Sequence, residues 1–309
     1  MNKKILVVLG GTSRERSVSI ASGKACIKAI KKLGYKIQVF DPAKKMLNEI
    51  DTSKVDVVFN SLHGKDGEDG IAQSYFEYLR VPYTHSGVLS SMNAMNKSIS
   101  KNIFKKNKIK TPRFFVMGKL EYKKNINFKK IITKNKLDFP IVIKPINEGS
   151  SIGVKICSSL KKINKEAKLL FKTYDNLIFE KFIGGQEIQV AVMKNKALGA
   201  IELKPLRSFY DYEAKYLKSA KTTHIMPANI SEKKYKEVLK LAEKTHKALN
   251  CKGVTRSDFK FYKNKFYLLE INTQPGMTNL SLVPEIARHK GISFEKLVKM
   301  IILDASINR

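Results

Sequence analysis

A run of apolar residues from Ile5 to Leu9 passes directly into Gly10 and Gly11, and a short polar segment then leads into an apolar series at helical spacing. Val18, Ala21, Ala25, Ala29 and Leu33 recur every three or four residues, and Gly34 stands where a helix C-cap belongs. Residues 37–40 and 55–60 read as the next two strands, and Ser17 or Ser19 is the expected helix cap. A strand, a helix and a strand in this order leave few choices. The crossover makes the strands parallel, and parallel sheets bind ligands at the C-terminal ends of their strands. The glycine-rich turns GGTSRER from Gly10 and HGKDGEDG from His63 fall at those ends.

Lys3 and Lys4 before an apolar run superficially resemble a signal peptide, but the run is too short and is followed at once by Arg14, Glu15 and Arg16. No apolar stretch approaches the roughly 20 residues that cross a bilayer, so membrane insertion is not expected. Cys26, Cys157 and Cys251 are odd in number and widely spaced, which suits neither a disulfide framework nor zinc and fits a reducing cytoplasm. The net charge of +32 raises nucleic acid as a partner. Its distribution argues otherwise, because the cations are mostly lysines spread along the whole 309-residue chain while arginine, the residue suited to bidentate phosphate contacts, is scarce.

The chain divides into three regions, expected as domains at 1–86, 87–183 and 184–309. In the second, residues 90–106 read as one helix, Thr111 and Pro112 reset the chain, and residues 139–144, 153–156 and 177–180 are strands around a lysine-rich helix at 160–171. In the third, strands are expected at 188–193, 197–203, 253–261 and 265–271, with helices at 231–249 and 294–305. The irregular stretch 205–227 exceeds ordinary loop lengths and reads as a lid.

No Walker loop, GxGxxG or HExxH occurs, so other residues must carry function. Arg256 and Asp258 share one face of a strand, and Glu270 and Asn272 one face of the next, across a hairpin at Lys263 and Asn264. Two carboxylates and an amide oxygen suit a hard divalent cation, and Arg256 can stabilise charge developing on oxygen; a solvated charged face balanced by one arginine is the other reading. KPINEGSSIGV from Lys144 can fold backbone N–H groups over phosphate, or can be a plain flexible hairpin. IFEKFIGGQE from Ile178 carries Glu180 and Glu187, which suit the adenine and ribose ends of a nucleotide or the surface of a hinge.

Taken together, GGTSRERSVS from Gly10, HGKDGEDGIAQ from His63, KPINEGSSIGV from Lys144, EKFIGGQE from Glu180, FYDYEAKY from Phe209, TRSDF from Thr255 and LLEINTQPGMTNLSLVP from Leu268 resemble, in order and over essentially the full length, the D-alanine:D-alanine ligase family of the ATP-grasp superfamily. The resemblance implies an α/β protein of three domains, with an N-terminal parallel sheet and ATP gripped between the central and C-terminal sheets. It implies attack of a first D-alanine carboxylate on the γ-phosphate of ATP, displacement of phosphate by the amine of a second D-alanine, and a dipeptide destined for peptidoglycan precursors.

Carried over by position, the resemblance assigns Lys97, Lys144, Ser151, Glu180, Lys181, Phe182, Ile183, Glu187, Phe209 and Leu269 to the nucleotide. Asp258, Glu270 and Asn272 would hold two Mg²⁺, with Mn²⁺ able to replace them. Glu15 would pair with the first substrate's ammonium and His63 would lie near its carboxylate, while Ser150 and Tyr216 would join Glu15 in closing the lid. Arg256 and the Gly276 N–H would form the oxyanion site, and Ser281, Leu282 and Lys215 would receive the second carboxylate. In the family, tyrosine at position 216 accompanies D-alanine as acceptor and phenylalanine accompanies D-lactate, so a D-alanine:D-lactate ligase or another carboxylate-amine ligase is the nearby alternative. A cytoplasmic homodimer is implied, with no nucleic-acid partner. Asn96 stands where the family more often has Asp, which bears on how Lys97 is oriented.

Overall fold

The opening strand–helix–strand pattern folds as its periodicity requires. In the computed structural model, which describes residues 3–122, 126–204, 222–278 and 280–309, β1 (Lys4–Val8) lies parallel between β2 (Lys36–Phe40) and β3 (Val57–Asn60). Helix α1 (Arg16–Lys32) buries Val18, Cys26, Ala29 and Ile30. Neither serine caps it: the helix starts at Arg16, and Glu15 in the N-cap position makes no side-chain cap bond. Ser19 instead accepts from Gly10 N–H and donates to the Ser61 carbonyl, both at 2.8 Å, tying the end of β1 to the end of β3. The HGKDGEDG turn leads into α2 (Ile71–Tyr78).

The expected helix over 90–106 is two helices, α3 (Val88–Met95) and α4 (Lys97–Lys106). They are separated by Asn96, whose backbone is extended (ψ 102°) and whose Oδ1 accepts from the N–H groups of Ser98 (3.0 Å) and Ile99 (3.1 Å). Asparagine is a strong N-cap, so one residue ends one helix and starts the next. Beyond it β4 (Phe114–Gly118), α5 (Phe128–Lys134), β5 (Ile141–Pro145), β6 (Lys155–Cys157), α6 (Leu160–Leu170) and β7 (Asn176–Lys181) form an antiparallel sheet of order β4-β7-β5-β6. Its core includes Phe115 stacked on Phe179 with centroids 4.7 Å apart.

The last sheet runs β10-β9-β8-β11-β12, all antiparallel, from β8 (Gln186–Met193), β9 (Lys196–Lys204), β10 (Thr223–Ile225), β11 (Val254–Tyr262) and β12 (Lys265–Asn272). Helices α7 (Glu232–Ala248), α8 (Leu282–His289) and α9 (Phe294–Leu303) pack with it. Part of the stretch expected to be irregular is β10, paired to β9; residues 205–221 lie outside the described residues, as do the calls on Phe209, Lys215 and Tyr216. Lys263 and Asn264 both take positive φ (47° and 58°), the backbone of a tight two-residue hairpin.

The first and last sheets share one core, in which Ile5, Val7 and Ile30 pack with Met193, Ile201, Ile286 and Ile301. The central sheet has a core of its own. All three cysteines are buried, and burial pushes the thiols of Cys157 and Cys251 up to about 11 and about 12. Among the described residues no helix is long and apolar enough to cross a membrane.

Candidate active site

The three sheets converge on a cavity of about 610 Å³. Glu15 reaches it from the β1–α1 turn, Ser150 from the turn after β5, Arg256 from β11, and Glu270 and Asn272 from β12; Gly276, Ser281 and Leu282 close its far side. A second cavity of about 90 Å³ is lined by Lys144, Ser151, Glu180, Lys181, Phe182, Ile183, Glu187, Asp258 and Leu269. Lys97, Glu148 and Glu270 line both, so the two spaces meet at a lysine and two carboxylates.

The turn after β5 makes the division. Ser150 and Ser151 both have positive φ (49° and 62°), an uncommon backbone for residues with a side chain, and the two neighbours line different cavities. Ser150 donates to Glu15 Oε1, joining the central region to the N-terminal sheet. A comparable device operates on β12, where Asp258 faces Glu270 and Phe259 faces Leu268, so that Leu269 is an extra residue in the ladder. In a regular strand Leu269 and Glu270 would point to opposite faces; the bulge lets both line the second cavity.

Charge in the site is heavily paired. Arg256 donates through Nε to Asp258 Oδ1 (2.8 Å) and through Nη2 to Oδ2 (3.0 Å), while Asn272, opposite Arg256 in the register, accepts from Gln274 N–H (2.8 Å). Lys97 donates to the Glu148 carbonyl and stands 3.4 Å from Glu270. Lys144 donates to Glu180 Oε1 (2.5 Å), and the other oxygen of Glu180 lies 2.8 Å from Lys101, which also donates to Thr111 Oγ1 (2.8 Å). Burial alone would raise the Glu180 pKa, but Lys101 and Lys144 hold it at about 2. Burial lowers Lys101 to about 8 against the opposing pull of Glu180. Burial also opposes the charge on Lys144, yet Glu180 and Glu270 raise its pKa.

Both carboxylate oxygens of Glu180 therefore face lysines, and it serves the second cavity as counter-charge to Lys144. Glu187 is paired with Lys260 (2.9 Å) and Lys181 with Asp138 (2.7 Å). At Gly276 a β-carbon would stand 2.9 Å from Ser281 Oγ, so a side chain there would require that hydroxyl to move. His63 is not among the residues that line the first cavity. It is buried behind it, with Nδ1 3.3 Å from Glu68 Oε1 and Nε2 3.1 Å from Ser22 Oγ, and it borders a separate pocket of about 210 Å³.

Lys101, Lys260, Glu68 and Ser22 belong to the site's structure yet were not singled out by the sequence. Lys101 lies one helical turn after Lys97, and that i, i+4 spacing was the available signal. For a divalent cation the donor chemistry fits: Asp258 and Glu270 are cross-strand neighbours on a rigid hairpin, with the amide oxygen of Asn272 two residues on.

Two family models match the chain, "D-ala D-ala ligase C-terminus" over residues 103–303 and "D-ala D-ala ligase N-terminus" over residues 40–86. Among curated relatives, a D-alanine–D-alanine ligase of Pelagibacter ubique is 56% identical over 310 residues, with all of both chains covered. One of Rickettsia typhi is 43% identical, covering 98% of this chain and 92% of its own. A crystal structure of D-alanine–D-alanine ligase from Bacillus anthracis complexed with ATP superposes with a TM-score of 0.85 at 32% identity, covering 98% of this chain and 97% of that one. Two antiparallel sheets meeting over paired cavities behind an N-terminal parallel sheet are the ATP-grasp arrangement, and the chain belongs to the D-alanine–D-alanine ligase family.

Proposed function

We infer that the chain joins two molecules of D-alanine into D-alanyl-D-alanine at the expense of ATP, releasing ADP and phosphate. The observation that carries the reading is the contiguity of the two cavities at Lys97, Glu148 and Glu270, which would let the phosphate end of a nucleotide in the small cavity meet an amino acid in the large one.

Lys97 and Lys144 hold the nucleotide phosphates, and Ser151, Lys181, Phe182, Ile183, Glu187 and Leu269 its base and sugar. Glu180 fixes Lys144. Asp258, Glu270 and Asn272 would hold two Mg²⁺, whose contribution when bound is to neutralise phosphate charge and align the γ-phosphoryl group. Glu15, oriented by Ser150, takes the ammonium of the first D-alanine, leaving its carboxylate free to attack the γ-phosphorus as ADP departs. Arg256 and the Gly276 N–H then stabilise the oxyanion that forms when the second amine adds to the acyl phosphate carbonyl, before the C–O bond to phosphate breaks. Ser281 and Leu282 receive the second carboxylate. Such chemistry rests on positioning and charge neutralisation, so no activated serine or cysteine nucleophile is required. Phe209, Lys215 and Tyr216 belong to the segment that would complete the lid.

Three working units, 1–86, 87–183 and 184–309, a homodimeric state and a cytoplasmic setting are part of the same proposal. The test is an assay of the purified protein with ATP, Mg²⁺ and D-alanine, quantifying nucleotide, phosphate and dipeptide. ADP, phosphate and dipeptide in equal amounts are expected; AMP with pyrophosphate, or a depsipeptide in preference when D-lactate is supplied, would overturn it.

A further inference from the structure

His63 has the surroundings of a working histidine without facing the cavity. Glu68 accepts at both carboxylate oxygens, from Gly64 N–H at Oε2 (3.2 Å) and from His63 Nδ1 at Oε1 (3.3 Å). A carboxylate that only accepts requires an imidazole proton on Nδ1, and in the neutral ring Nε2 then carries a lone pair. Nε2 lies 3.1 Å from Ser22 Oγ, and that lone pair accepts a hydrogen bond from the hydroxyl. With its proton so committed, Ser22 Oγ presents lone pairs, and it accepts from Met277 N–H at 3.1 Å. Every member is buried: Ser22 is fully enclosed on α1, His63 is 5% exposed and Glu68 9%. Every step of the series therefore has a defined donor and a defined acceptor.

The series crosses the molecule. It starts in the turn after β3, passes through α1 of the N-terminal unit and ends on the segment after β12, whose Gly276 lines the first cavity. Gln274 of that segment donates to the Leu62 carbonyl, a second tie between the same two turns. A peptide unit is planar, so anchoring Met277 N–H fixes the plane of the Gly276–Met277 peptide, and the Gly276 N–H is only one pair of dihedrals away.

We propose that Glu68, His63 and Ser22 are positioning residues, a directional hydrogen-bond relay that holds the Gly276–Met277 backbone in register with the first amino-acid subsite. It rests on the reading above, in which the Gly276 N–H stabilises the oxyanion. The carboxylate matters because an amide cannot replace it: a glutamine at 68 accepts at one position only, and must set a donor against either Gly64 N–H or His63 Nδ1–H.

Two measurements test the proposal. In protein carrying ¹⁵N-histidine, with the His63 signals identified by their loss in His63→Gln, the wild type should show the Nδ1–H tautomer and Glu68→Gln a shift toward Nε2–H. An Nε2–H imidazole in the wild type overturns the relay. In steady-state assays, Ser22→Ala and Glu68→Gln should each lower kcat by about tenfold to 100-fold with the KM for ATP within about twofold, the scale of a misplaced catalytic group. The double variant should be no slower than the slower single. Losses that multiply, or variants with unchanged kcat, overturn the proposal. Should Ser22→Ala fail to fold, the tautomer and Glu68→Gln decide. Absence of dipeptide synthesis in the wild type would be a failure of the functional reading, and the tautomer would still decide the relay.

Discussion

Arg256 fits two roles from a single position on β11. It is bound bidentately to Asp258, so a structural ion pair and an oxyanion donor are both consistent with its place on β11. The two roles separate on truncation. Arg256→Ala should retain the fold and nucleotide binding but lose about 10²- to 10³-fold in kcat, the scale for removing an oxyanion donor; steady-state kinetics with a nucleotide-binding titration would check this, and a kcat near wild type would leave Arg256 with a structural role as ion-pair partner of Asp258. Glu180 allows a pH prediction. Its folded pKa of about 2 lies below the ordinary 4.5, so the stabilisation from its lysine contacts is complete above about pH 4.5 and is lost as pH falls toward 2. Urea unfolding midpoints should drop through that window. Glu180→Gln, which leaves Lys101 and Lys144 buried without the carboxylate they both contact, should be less stable at neutral pH by ~3–5 kcal/mol and less sensitive to acid; an unchanged acid profile would show that the carboxylate is not the responsible group.

Elements are where sequence and structure part company, for reasons that differ by case. The first three strands and α1, and the pairing of Arg256–Asp258 with Glu270–Asn272, were legible because periodicity and a two-residue hairpin are local properties. The bulge at Leu269 was not, since nothing in its own neighbours marks an extra residue in a ladder. Ser19 looked like a cap and became a cross-strand tie because the end of β3 comes within reach only after the sheet has formed. The partners of Glu180, Glu187 and His63 were hidden for the same reason: Lys101, Lys260 and Ser22 meet them through tertiary packing. Asn96 was legible as a residue and not as a boundary. Because its Oδ1 caps α4 and its neighbour Lys97 reaches the wall shared by both cavities, Asn96→Ala should cost about 1 kcal/mol of stability and raise the KM for ATP more than that for D-alanine. Asn96→Asp, which keeps the accepting oxygen, should match wild type. Equal behaviour of Ala and Asp variants would mean that the cap does not set the lysine.

At the scale of the whole molecule, the three-unit division by sequence does not coincide with the division of the hydrophobic core. Strand β1 and helix α1 bury Ile5, Val7 and Ile30 against Met193, Ile201, Ile286 and Ile301, so the first and last units remove apolar surface from water together. The central sheet encloses Phe115, Phe128, Ile143 and Phe179 within its own layers, while Ala94 of α3, Phe104 of α4 and Ile109 join the core of the last sheet. Separation of one of the first pair from the other would expose part of a continuous core, whereas the central sheet can open with far less apolar surface uncovered. Cooperative opening follows shared burial, so native-state hydrogen exchange should resolve two classes among the strands. Amides of β1 should exchange with the same free energy and denaturant dependence as those of β8 and β9, while amides of β5 and β7 should form a second class of lower opening free energy. On the proposed reading a nucleotide between the central and last sheets binds only when both are folded, and should bring the second class up toward the first by mass action. If β1 instead exchanged independently of β8 and β9, the common cluster would be a docking surface between separately folding units. In that case the boundary near residue 86, rather than the central sheet, would be where the molecule first comes apart.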